Sequence, residues 1–230
     1  ETAADRGWID SFFFSSPSRL GRLFLSMWRD GSLFLHVGIT LTETLVSFAL
    51  VVVIGLAVSL LLWLSDSVFQ VLEPYLVILN SLPKSALAPL LIVWLGANSR
   101  TIIVAGMSVA IFGTILNLYT GFTETSREKI RLIYTLHGTK KDALTKVVLP
   151  STVPMIISIM KVNIGLCLVG VVIGEFIGAR NGLGYLIIYG SQVFQLDLVI
   201  LSILILCLMA MLLYGGVTAA EKLYHRRQHA

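Results

Sequence analysis

Uncharged apolar runs long enough to cross a bilayer recur along the chain. Residues 44–65 and 101–123 carry no charge, and 198–220 is bounded by Asp197 and Glu221. At about 1.5 Å of rise per residue, roughly 20 such residues traverse a hydrocarbon core about 30 Å thick. Two further runs are interrupted, 74–96 by Pro83, Lys84 and Pro89, and 153–174 by Lys161. The pattern predicts an all-α, polytopic transmembrane helical bundle with five visible spans. A break is tolerated at membrane depth where protein or a water-filled cavity satisfies the freed backbone groups. Residues 80–89 therefore face the bundle interior, as a packing kink, as part of a solute path, or as both.

Two amphipathic stretches lie outside these runs. Ser16-Pro17 reads as an N-cap followed by proline at the first helical position. Beyond it Leu20, Leu23, Phe24, Met27 and Trp28 share one helical face, and Arg19, Arg22, Ser26 and Arg29 the other. Such a helix either lies flat in the membrane interface or packs on the surface of its own bundle. The second stretch, 124–150, is the most polar part of the chain. Thr125 with Glu128 and Thr139 with Asp142 both have capping-box spacing. Gly138 stands where the first short helix needs positive φ, and Pro150 where the second ends. A bent hairpin follows, with apolar faces (Ile130, Ile133, Tyr134; Ala143, Leu144, Val147, Val148) and basic ones (Arg127, Lys129, Arg131, Lys140, Lys141, Lys146). A merely solvated basic loop is the simpler alternative.

Composition agrees with lipid as the solvent. Of 230 residues 56% are hydrophobic and 13% charged, and a mean hydropathy of +0.87 exceeds what a soluble interior absorbs. The net charge of +4 is informative through its placement, because cytoplasmic loops collect Lys and Arg. Alternating spans put nine basic residues on the side of the hairpin and C-terminus: the hairpin's six, Lys222, Arg226 and Arg227. Six (Arg6, Arg19, Arg22, Arg29, Arg100, Arg180) lie opposite. The bias places hairpin and tail in the cytoplasm and leaves no reason to invoke nucleic acid. Cys167 and Cys207 sit in apolar runs and read as small hydrophobes. No cysteine–histidine cluster suggests a metal.

The hairpin with LPSTVP (149–154), the stretch IGEFIGARNGLGYLI (173–187), NSLPKSALAPLLIVWLG (80–96) and SSPSR (15–19) together resemble the permease subunit of type I ABC importers, in the nitrate, sulfonate, taurine and bicarbonate branch that also includes carriers of vitamin precursors. The family's cytoplasmic motif has the form E-A-A, three residues, G, then a run ending in L-P. Gly138 and Leu149-Pro150 match it; Leu132, Ile133 and Tyr134 replace the acidic and small residues, and the Gly to Leu-Pro distance is one residue short. Members usually have six spans, and residues 1–4 resemble the end of a trimmed first one. The resemblance implies a single domain: an extracytoplasmic segment (1–43), spans (44–123), a cytoplasmic coupling hairpin (124–150), spans (151–220) and a cytoplasmic tail (221–230). It further implies cytoplasmic ABC ATPase subunits that bind ATP and Mg2+, an extracytoplasmic solute-binding protein, a second permease subunit (a homodimer) and a bacterial cytoplasmic (inner) membrane location. The chain itself has no G-x-x-x-x-G-K-[ST] loop, so no cofactor and no catalysis are expected of it.

Candidate ATPase-coupling residues are Arg131, Tyr134, His137, Gly138, Thr139, Lys140, Lys141, Asp142, Lys146, Leu149 and Pro150. Candidates for the translocation path are Asn80, Pro83, Lys84, Asn117, Asn163 and Glu175, for a small anionic or zwitterionic solute. Lys84, costing at least ~2.5 kcal/mol at mid-membrane, meets an anion or pairs with Glu73, Glu175 or a backbone carbonyl. Lys161 is expected to snorkel to the cytoplasmic surface. Gly170, Gly174 and Gly178 form a small-residue stripe for helix packing, within the subunit or across a dimer. Glu175 and Arg180 form an outer gate or docking contact, or simply end a helix in water. A secondary carrier or channel without an ATPase is the alternative function; it would need inverted repeats and coupling acids within the spans, and the membrane acids are few. A membrane scaffold is a third.

Overall fold

Ser16 caps the first helix as its sequence suggests: its Oγ accepts the Arg19 amide at 3.4 Å, and Pro17 opens α1 (Pro17–Arg29). The computed structural model describes residues 16–228, which contain no strand. The expected span remnant at 1–4, Arg6 and Ser15 lie outside the described residues. α1 packs on its own bundle, with Met27 buried and Leu20, Leu23 and Phe24 against the outer apolar cluster of Leu33, Leu183, Leu198 and Leu201. An Arg19–Asp197 ion pair at 2.8 Å ties it to the first turn of the last helix. Leu25 and Trp28 stay half exposed on its outer edge, so α1 combines surface packing with an apolar margin for the membrane interface.

Gly31, at φ +78°, reverses the chain, and Asp30 Oδ1 accepts the Ser32 amide at 2.9 Å. α2 (Ser32–Leu64) then begins twelve residues before the predicted start of the span at 44. Much of its inward face is polar or small (His36, Thr40, Glu43, Thr44, Ser47, Gly55, Ser59), with Leu33, Val51 and Leu62 buried beside them, while Val53 and Leu61 face outward. Lipid accepts the apolar side, and close helix contact uses the other.

α3 (Asp66–Ser81) and α4 (Lys84–Leu95) bend by 97° at Leu82-Pro83. The pair forms one broken span alongside α5 (Ser99–Thr123). Phe69 stacks on Tyr119 near the end of α5, Asn80 lies against Gly113 at its middle, and Ile92 meets Gly178 at the far side. Asn98 starts α5 by accepting the Arg100 and Thr101 amides at 3.0 and 3.2 Å.

The hairpin comprises α6 (Arg127–Thr135), α7 (Lys140–Ala143) and a π-helical turn, Leu144–Val148, that runs straight into α8 (Leu149–Gly178). Pro150 therefore does not end a helix, contrary to expectation; it occupies the first turn of α8. The Leu149 amide reaches back five residues to Leu144 O, and this wider turn makes room for the proline ring. A helix absent from the prediction, α9 (Leu183–Gln192), lies across the outer end before α10 (Leu196–Gln228). Counting the broken pair as one gives five spans.

The centre is α5 held between α2 and α8. A side chain at Gly170 would fall 2.8 Å from Gly106 Cα, and one at Gly174 would fall 3.3 Å from Ile102 Cα. The small-residue stripe thus serves packing inside the subunit. Lys161 forms an ion pair with Glu221 of α10, a structural role with a partner the sequence did not suggest.

Candidate coupling hairpin and translocation groove

α6 begins one residue later than the spacing predicted. Ser126 Oγ accepts the Lys129 amide at 3.5 Å, while Thr125 is buried and turned toward Gly121 O. At its other end the His137 amide donates to Tyr134 O at 3.0 Å and the Gly138 amide to Ile133 O at 2.9 Å. This is a Schellman closure, and the left-handed residue is His137 at φ 60°, not Gly138. Gly138 is needed for proximity: a Cβ there would lie 2.5 Å from Ile133 Cγ2 and 2.9 Å from Ile133 O.

Thr139 and Asp142 do form the predicted capping box, with the Thr139 amide on Asp142 Oδ2 at 2.9 Å and the Asp142 amide on Thr139 Oγ1 at 3.3 Å. Lys146 Nζ reaches Asp142 Oδ1 at 2.8 Å. Lys146, then the Thr139 hydroxyl and amide, hold the Asp142 carboxyl far below the usual carboxylate range.

The hairpin has a buried back and an exposed front. Ile130, Ile133, Ala143, Leu144 and Val148 pack with Trp63, Leu118 and Phe122. Tyr134, expected on the packed face, is instead exposed beside Leu132 and Leu136 (46%, 60% and 70%), with Arg127, Lys129, Arg131, His137 and Lys141 also outward. Lys140 turns back to the body, 3.8 Å from Asp66 and over the Trp63 ring at 5.4 Å. That contact ties the 65–66 turn to the hairpin end, as the span count requires. Leu149 is half-buried and Pro150 exposed where α8 leaves the hairpin.

At mid-span a groove of about 320 Å³ opens on one flank of the bundle, lined by Asn80, Gly113, Thr114, Asn117, Ser158 and Asn163 among others. Three of the six candidate path residues, from α3, α5 and α8, thus converge. Asn163 Nδ2 donates to Thr114 Oγ1 at 2.8 Å, and that hydroxyl donates to Ala110 O at 2.7 Å. Asn80 and Asn117 remain exposed.

The other three candidates lie outside the groove lining. Pro83 forms the break itself. Lys84 Nζ donates to Leu79 O, a carbonyl freed by the break, and lies over the Phe112 ring at 5.2 Å; the backbone partner is the one realised. Glu175 is fully buried, neither in water nor facing the groove. Its Oε1 accepts the Thr40 hydroxyl at 2.7 Å and its Oε2 the Gly184 amide at 2.6 Å. Arg180 is exposed and apart from it.

His36, Thr40 and Glu43 complete this outer knot and were missed. The Gly182 amide donates to His36 Nδ1 at 3.0 Å and the Leu183 amide to Thr40 Oγ1 at 2.8 Å. The available signal was the spacing 36, 40, 43, 47, one face of a single helix.

The described residues hold no group of acids, histidines or cysteines suited to a metal. The family described as binding-protein-dependent transport system inner membrane component matches residues 51–228. A probable ABC transporter permease protein of Haemophilus influenzae is 30% identical over 98% of this chain and 90% of its own length. The formylaminopyrimidine transport permease protein ThiX of Halalkalibacterium halodurans is 29% identical over 83% and 76%. The taurine transport system permease protein TauC of Escherichia coli is 24% identical over 96% and 82%. In fold, the chain matches one from inward-facing structures of the MetNI methionine ABC transporter, with a TM-score of 0.68, 20% identity and coverage of 80% of this chain and 92% of that one. A carrier working without an ATPase is thereby set aside. The chain belongs to the binding-protein-dependent transport system inner membrane component family: it is a multi-pass, non-enzymatic permease subunit of an ABC importer, whose ATPase is a separate subunit.

Proposed function

We propose that this permease forms half of a translocation path for a small anionic or zwitterionic solute, with the groove at Asn80, Asn117 and Asn163 as its mid-membrane section. The second half comes from another permease subunit, a copy of this chain. An extracytoplasmic binding protein delivers the solute across a bacterial inner membrane. Cytoplasmic ATPases holding ATP and Mg2+ grip the exposed hairpin face of Arg131, Leu132, Tyr134 and Leu136.

The observation that carries the reading is the convergence of three amides and two hydroxyls on one open flank beside a broken span. Polar groups at membrane depth face a protein interior or a wet cavity, not lipid. Amides supply donors to an anion and acceptors to an ammonium group without a fixed charge that would hold either. Lys84 lies at the edge of this section through Phe112, next to Gly113 in the chain, and adds positive potential. The taurine carrier among the relatives suits such a zwitterion.

The test is uptake into proteoliposomes containing the whole transporter and its binding protein. N80L/N117L is expected to lower uptake about tenfold, the worth of a hydrogen bond or so, with basal ATP hydrolysis retained. Wild-type uptake by the double variant would remove the groove from the path.

A further inference from the structure

Beneath the outer turn at Gly182–Gly184, two acids from different helices face each other, Glu43 of α2 and Glu175 of α8. They are 3% and 0% exposed. Their hydrogen bonding is unequal. Glu175 has a donor on each oxygen, the Thr40 hydroxyl and the Gly184 amide. Both oxygens of Glu43 lack any hydrogen-bond partner, as does the neighbouring Thr44 hydroxyl. The other groups around the pair do not compensate. The Ser99 hydroxyl, at the start of α5, faces Glu43 without completing a hydrogen bond. His36 uses Nδ1 to accept the Gly182 amide and is neutral in that role. Among the described residues no Lys or Arg forms an ion pair with either acid.

Two buried carboxylates in contact, one with no donor, cannot both be ionised at reasonable cost. A carboxylate is acceptor-only, so neither acid can satisfy the other until one of them carries a hydrogen. Donors on both oxygens favour the anion at Glu175, and their absence favours the acid form at Glu43.

We propose that Glu43 and Glu175 form a proton-binding site that holds one proton, carried by Glu43 and donated to Glu175. Glu175 then accepts from Thr40, Gly184 and Glu43 together, and the turn between α8 and α9 is clasped to α2. Removing the proton sets two negative charges under that turn and loosens it. The site lies apart from the mid-span groove and does not depend on what passes through it.

The test uses the assembled transporter in detergent. Wild-type protein is expected to show a protonated-carboxyl infrared band that shifts in D2O, and E43Q is expected to lack it. E43Q should also keep the wild-type melting temperature, since an amide at 43 still donates to Glu175, and should lose the fall in melting temperature that wild type shows as pH is raised. E175Q should melt lower at every pH, because an amide offers one acceptor oxygen to the Thr40, Gly184 and Glu43 donors that the carboxylate meets with two. A band that survives E43Q, or an E43Q as unstable as E175Q, overturns the assignment. So does a wild-type melting temperature that rises with Na+ or K+ at constant ionic strength, which would make a metal cation the occupant. Should E175Q fail to assemble, the infrared comparison of wild type with E43Q decides alone.

Discussion

At Gly170 the backbones of two spans come as near as side chains allow. A Cβ there would fall 2.8 Å from Gly106 Cα and 3.0 Å from Ala105 O, atoms of main chain that cannot swing aside. Lipid tails supply no hydrophobic push between helices, so this approach and its dispersion contacts are what hold α5 against α8. Gly170→Val is expected to destabilise the permease by about 1–3 kcal/mol, read as a lower unfolding midpoint in detergent. Gly165→Val on the same helix, where nothing lies within 4 Å, is expected to leave the midpoint unchanged. Equal effects of the two would locate the cost in helix propensity rather than packing. The four-residue spacing of Gly170, Gly174 and Gly178 was legible in the sequence because periodicity is local. Gly106, with no such spacing, was not. Glu43 was missed for a related reason. A charge just ahead of an uncharged run marks a span boundary on hydropathy alone, whereas in a continuous helix it falls on the buried stripe of His36, Thr40 and Ser47.

The hairpin shows what element-scale reasoning reaches. Capping boxes and glycine turns are written in adjacent residues, so the two short helices and the Thr139 cap were readable. The continuation through Pro150 was not, because a proline after a short helix usually reads as a stop and the π turn that accommodates it leaves no local mark. α9 was hidden likewise: ten residues between a glycine turn and the short 193–195 turn are too short for a span, and they settle only on the surface that α8 and α10 present. The Asp142 cap carries a directional pH prediction. With its folded-state value depressed by Lys146 and Thr139, Asp142 contributes stability that is full above the ordinary aspartate value of about 4 and is lost as pH falls below it. Amide hydrogen exchange at Lys140–Ala143 should therefore show unchanged protection, after correction for the intrinsic rate, from neutral pH down to about pH 5, and diminished protection below about pH 4. Asp142→Asn should diminish it at neutral pH as well. Protection in the variant equal to wild type would show that the buried back face, not the cap, holds α7 in place.

On the scale of the molecule, the surface divides by chemistry. Val53, Leu61, Met211 and Leu212 are more than 60% exposed and suit lipid. The groove flank presents Asn80 and Asn117 at the same depth, which lipid cannot hydrogen-bond. On the proposed reading, a second permease placed against that flank would convert the open groove into an enclosed path. The ends of the bundle fix which surfaces share a side: Lys140 beside Asp66 at one end and Arg19 with Asp197 at the other. The alternation of spans along the sequence implied the same sharing of sides. A cysteine placed at Asn117, in a chain with Cys167 and Cys207 replaced by serine, is therefore expected to cross-link two differently tagged copies in native membranes with a short bifunctional reagent. Cysteine at Val53, equally reachable but set among apolar neighbours, is expected to give no dimer. Cross-linking at Val53 and none at Asn117 would turn the groove toward lipid and remove its place between subunits. Cross-linking at Asn117 that weakens when ATP is supplied to the whole transporter would in addition make the groove a moving boundary, as a path opened alternately to the two sides requires.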